Sequence, residues 1–168
     1  MSIKNRIWKL MAAAGLALGV AATGVSAVEK GAHEHGAAPA KLMLNDGSKW
    51  ATDAPLRKGM ESIRSAIDAS LHEIHAGKLS EAGYNDLAKR VNTEVGGVVA
   101  NCKLEPKADA QLHLVIADML QGAEAMEGKA KKVKRQAGAV TVLAALDKYA
   151  TYFDHPNWEP IKHHGHGH

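Results

Sequence analysis

Between Asp53 and Phe153 the apolar side chains return at steps of three and four, in four separate runs. Leu56, Met60, Ile63, Ile67, Leu71 and Ile74 make the first run. Tyr84, Leu87, Val91, Val95, Val98 and Cys102 make the second. Leu112, Ile116, Met119, Ala123 and Met126 form the third, and Ala139, Leu143, Leu146, Ala150 and Phe153 the fourth. Such spacing lays one apolar stripe along each of four helices. Pro55 after Asp53 suits a first turn, Ser80 is a good N-cap, and Leu79 with Tyr84 suits a hydrophobic staple. Gly77, the Leu104-Glu105-Pro106 segment, Gly128 and Pro156 supply the stops. The expected helices cover Asp53 to Gly77, Ser80 to Cys102, about 107 to 127, and Lys131 to Phe153, with no strand among them. Short connections force antiparallel neighbours. The expected fold is all-α: an antiparallel up-down-up-down four-helix bundle with disordered N- and C-terminal arms.

Both ends of the chain read differently. Lys4, Arg6 and Lys9 precede an uncharged apolar run from Leu10 to Ala22, and Val25-Ser26-Ala27 is a small-residue cleavage sequence. Residues 1–27 therefore read as a signal peptide cleaved after Ala27, which makes the protein periplasmic or secreted, with no transmembrane span after cleavage. Residues 28–51 read as an extended or disordered leader, 52–158 as the bundle, and 159–168 as a His-rich tail. Removing the signal lowers the basic residues from 21 to 18 against 18 acidic ones. A neutral mature chain carries no global nucleic-acid footprint.

Ten histidines, one cysteine and six methionines carry the candidate chemistry. One arm holds His33 and His35, and the other holds His163, His164, His166 and His168 interleaved with glycines. Neutral imidazole is a common transition-metal ligand, and glycine lets several rings turn toward one ion. In the expected topology Met60, Cys102, His113 and His155 share one end of the bundle with both arms. Thioether, thiol and imidazole donors suit copper first and zinc second. A secondary metal set, Asp68, His72 and His75, lies on one side of the first helix at steps of four and three. Lys129, Lys131, Lys132, Lys134 and Arg135 form a basic run where the fourth helix should begin, a place where its dipole disfavours cations. The nucleophile, phosphate-loop and His-Glu-x-x-His signatures of enzymes are absent from the sequence, so no catalytic residues are expected.

Gly59-Met60-Glu61 at the head of the first stripe, His155 after the fourth, and the stretch from Leu112-His113 to Glu127-Gly128-Lys129 make residues 53–155 resemble the soluble periplasmic b-type cytochromes of the four-helix-bundle kind. The resemblance implies haem b held without covalent attachment between the first and fourth helices, Met60 and His155 as axial ligands, and electron transfer as the activity. The residues alone lead first to an exported binding protein that buffers, stores or delivers copper or zinc. A haem-binding electron carrier is the first alternative. A cofactor-free helical module docking a periplasmic protein is the second.

Overall fold

The computed structural model describes residues 41–162. In chain order these form β1 (Trp50–Ala51), α1 (Ala54–Ala69), α2 (Leu71–His75), α3 (Glu81–Asn101), α4 (Pro106–Met126), α5 (Arg135–Tyr152) and β2 (Phe153–Asp154). The described chain is thus mainly helical, and α4 packs against α5 most extensively, with α1 on α3 and α3 on α4 next. The stripes read from the sequence become the core. Leu56, Met60, Ile63, Val91, Val98, Leu112, Met119, Leu143 and Leu146 are all buried. None of the described helices is long and apolar enough to cross a membrane.

The caps follow the residue chemistry. Asp53 Oδ1 accepts from the Leu56 amide at 2.9 Å, and Ser80 Oγ accepts from the Gly83 amide at 3.1 Å; each satisfies an amide that the first turn leaves unpaired. Gly77 and Gly128 take positive φ, +64° and +76°. Behind them Lys78 N–H donates to Glu73 O at 2.9 Å and Lys129 N–H to Glu124 O at 3.1 Å. Both ends are therefore closed by six-to-one bonds of the Schellman type.

Three expectations need correction. The first helix is interrupted at Ser70, whose amide turns back to Ile67 O at 3.1 Å instead of continuing the regular ladder. The stripe survives the interruption, because Ile74 on α2 is still buried. Second, α5 begins at Arg135, not Lys131. Lys132 sits at φ +63°, a left-handed conformation that no helix interior accepts. Lysines 129, 131 and 132 consequently precede the helix, and Arg135 turns its guanidinium onto Met126 O at the end of α4, where a cation is favourable. Third, short strand is present where none was expected: Trp50 pairs in parallel with Phe153 and Ala51 with Asp154. Thr52 Oγ1 donates to Asp154 O at 2.6 Å and Lys49 Nζ to Ala150 O at 2.6 Å. Two-residue strands carry no periodicity, so the sequence offers nothing from which to expect them.

Candidate functional site

The four residues expected to form a soft-metal site occupy four different environments. Met60 is fully buried inside the α1 stripe, with a flexible thioether that suits core filling. Cys102 caps the end of α3, and its thiol bonds to the Asp53 carboxylate. Burial first, and the Asp53 charge second, push the Cys102 thiol up to about 11. It is therefore protonated near neutral pH, the opposite of a poised thiolate. Burial would also raise the Asp53 carboxyl. The Lys103 and Leu56 amides and the Cys102 thiol outweigh it and hold Asp53 below its ordinary value. His113 stands exposed on α4, with Nδ1 2.9 Å from its own helix's Asp109 carbonyl.

His155 is half-buried and shares a 2.9 Å hydrogen bond between Nδ1 and the hydroxyl of the buried Tyr149. Trp158 packs edge-on against Tyr149 at 5.0 Å and lies 4.9 Å from the His155 ring. Arg64 reaches over Trp158 at 5.9 Å while bonding Glu61 at 2.5 Å. Burial is the largest influence on His155 and lowers its pKa, against the opposing charge of Glu61. Among the described residues no three His, Cys, Asp or Glu side chains are grouped to hold a metal ion.

For the haem alternative, the Tyr149 bond occupies Nδ1 of His155 and leaves Nε2 as the ligating atom. Met60 does not fit as its partner, because its side chain is sealed inside the protein core and would have to leave it.

The secondary set falls in a more open place. Asp68 on α1 and His72 and His75 on α2 line a groove of about 850 Å³. All three residues are exposed. The opposite wall is Trp158 to Lys162, a segment the sequence places with the bundle's other end. It departs at Pro156, turns where Trp158 N–H donates to His155 O at 3.1 Å, and runs back along α1 and α2. Ile161 is buried as its anchor. The last described residue, Lys162, thus borders the same groove as His72 and His75. This corrects the expectation that the C-terminal arm leaves from the Met60–Cys102 end. The signal was present in the sequence: Trp158 and Ile161 are isolated apolar residues in an otherwise polar segment, a pattern that suits a clip onto the surface.

The expected signal peptide lies outside the described residues, as do His33, His35, His163, His164, His166 and His168. Comparison with protein-family models, curated proteins and solved structures finds no match to this chain.

Proposed function

We propose that this is an exported helical protein that binds a transition-metal ion, copper first and zinc second, for buffering, storage or delivery instead of catalysis. The observation that carries this reading is that Asp68, His72 and His75 all line one open groove, although the three are not drawn together there around a single point. Two imidazoles and a carboxylate are ligands of borderline character, suited to Cu(II) or Zn(II) and poorly suited to magnesium or calcium. The reading prefers this groove to the Met60–Cys102–His113–His155 set. A protonated, hydrogen-bonded thiol and a sealed thioether are poor starting points for ligation.

The scaffold in this proposal is the antiparallel up-down-up-down bundle, with α1 and α2 together as its first member. The start of α1 meets the end of α3, where a Cβ at Gly59 would touch Val98. Lys148 late in α5 meets Asp118 in α4 at 2.6 Å, while Gly138 near the start of α5 meets Gly122 and Met126. Both sets of contacts suit antiparallel neighbours.

The test uses the untagged chain beginning at Val28, titrated with Cu(II) and Zn(II) by calorimetry. Changing His72 and His75 together to alanine should weaken binding by about tenfold or more, the effect of losing metal ligands outright. Changing Met60 to leucine and Cys102 to serine should leave it unchanged. A chain that binds neither ion would sink the reading. Binding lost only in the Met60–Cys102 variant would return the site to the other end of the bundle.

A further inference from the structure

We infer that the loop between α4 and α5 is a docking surface for an anionic phospholipid bilayer, with Lys129, Lys131, Lys132 and Lys134 meeting the phosphate headgroups and Val133 entering the interface between them. This inference is independent of the metal-binding reading above.

Positive charge is gathered at this loop. Residues 41–162 carry 17 Lys and Arg against 16 Asp and Glu; residues 127–135 hold five of the former and one of the latter, which leaves 12 against 15 elsewhere. The loop is thus a basic tip on a mildly acidic body, an arrangement that orients the molecule in the field of a negative surface. Lys129 pairs with Glu127 at 2.7 Å. Lys131, Lys132 and Lys134 are exposed, and among the described residues no acidic side chain pairs with them. Glu81, at the same end, is turned toward Arg135.

Two local features run against ordinary folding preferences, and both keep lysine. Lys132 takes φ +63°, a left-handed conformation in which glycine is the unstrained choice. Lys131, Lys132 and Lys134 stand before the first turn of α5, whose dipole disfavours cations, and Lys134 at the cap position makes no side-chain cap bond. Outliers of this kind point to a use for the charge itself. The chemistry of the groups then favours a surface over a discrete anion. The run's single guanidinium, which could grip one carboxylate or phosphate by two bonds, is turned inward onto Met126 O and Asn85 Oδ1. The lysines that remain are point charges on flexible stems, suited to a diffuse sheet of headgroups. Val133 between them is 47% exposed, an apolar side chain placed to add buried area at a membrane interface.

The experiment measures co-sedimentation of the untagged chain beginning at Val28 with vesicles of phosphatidylcholine containing one quarter phosphatidylglycerol, at pH 7.5 in EDTA. Binding is expected to these vesicles and not to pure phosphatidylcholine, and it should fall steeply as salt rises. A lysine near an anionic surface contributes about fivefold, so Lys131→Gln, Lys132→Gln and Lys134→Gln together should weaken partitioning by roughly a hundredfold. Lys58→Gln, Lys89→Gln and Lys107→Gln together remove the same charge from exposed positions outside the loop and should weaken it by less than about fivefold. Lys132→Gly separates charge from folding: it should bind about fivefold weaker yet melt no lower than the parent, because glycine relieves the left-handed strain. No binding to the anionic vesicles, equal binding to pure phosphatidylcholine, or equal weakening by the two triple variants would overturn the docking surface. Competition by millimolar inorganic phosphate at constant ionic strength would also overturn it, as the mark of a discrete anion site. Binding to polyglutamate in place of the vesicles would assign the loop to an acidic protein instead.

Discussion

Replacing Gly138 with alanine tests the close crossing of α4 and α5. A Cβ at Gly138 would lie 2.5 Å from Gly122 O, 2.7 Å from Met126 N and 2.8 Å from Ala125 Cβ. Carbon and carbonyl oxygen ordinarily stay about 3.3 Å or more apart even in favourable contacts, so α4 and α5 would have to separate by roughly 1 Å. The obstructing atoms are mostly backbone and cannot swing aside. A gap of that size forfeits about a quarter to a half of each dispersion contact along the seam. We place the steric penalty at about 3 kcal/mol, the upper end of ordinary overpacking. Alanine's better helix propensity returns about 1 kcal/mol, leaving a net loss of about 2 kcal/mol. For a domain of this size the melting temperature should fall by about 6–10 °C. The control is Gly97→Ala on α3, where a new Cβ meets nothing within 4 Å; it should raise the melting temperature by about 3–5 °C. Thermal circular dichroism of the two variants reads both effects. A Gly138→Ala protein that melts with or above the parent would refute the close crossing.

Cys102, with its pKa pushed up to about 11, should react with a disulfide reagent at pH 8 roughly two orders of magnitude more slowly in the folded chain than in urea. Asp53→Asn should accelerate the folded reaction, and equal rates folded and unfolded would contradict the Asp53 contact. Because burial lowers the His155 pKa, the unfolded chain takes up that proton first as pH falls. His155 therefore contributes no penalty well above its ordinary value near 6.5 and a growing one as pH drops through it. His155→Gln should flatten the fall in urea midpoint between pH 7.5 and 5.5; an unchanged slope would contradict this. Met60→Ala should lose about 2–5 kcal/mol by leaving a cavity in the sealed core, whereas Met60→Leu should lose less than about 1.5 kcal/mol, both measured by urea unfolding.

The helical stripes were legible because burial imposes periodicity, and periodicity survives local irregularity. The interruption at Ser70 changes the hydrogen bonding of the first helix but not which residues face inward, so Ile67 and Ile74 are buried on either side of it. Helix starts were legible where a side chain supplies the cap, as at Asp53 and Ser80. They were not legible at α5, where Lys134 makes no side-chain cap. That start is set by the left-handed turn at Lys132 and by Arg135 reaching to the end of α4, and neither leaves a periodic trace. The Trp50–Phe153 pairing joins residues a hundred positions apart by backbone bonds alone, so no local pattern encodes it.

The candidate ligand sets were legible as residue chemistry, whereas the course of the chain after α5 was not legible as geometry. Residue types and helical spacing identified both Met60–Cys102–His113–His155 and Asp68–His72–His75, but ranking them depended on where the chain's end emerges. Reasoning from helix order puts it beside the end of α5, since Pro156 forbids continuation. That rule says where a helix must stop, and says nothing about the course of the next residues. Two isolated side chains decide that course. Trp158 finds a slot between Tyr149, His155 and Arg64, and Ile161 finds one beside α1 and α2. Burying an isoleucine side chain contributes about 1.5–3 kcal/mol, enough to direct a short linker whose alternative is free solvation. The same burial that carries the segment away from Cys102 and His113 delivers Lys162 to His72 and His75.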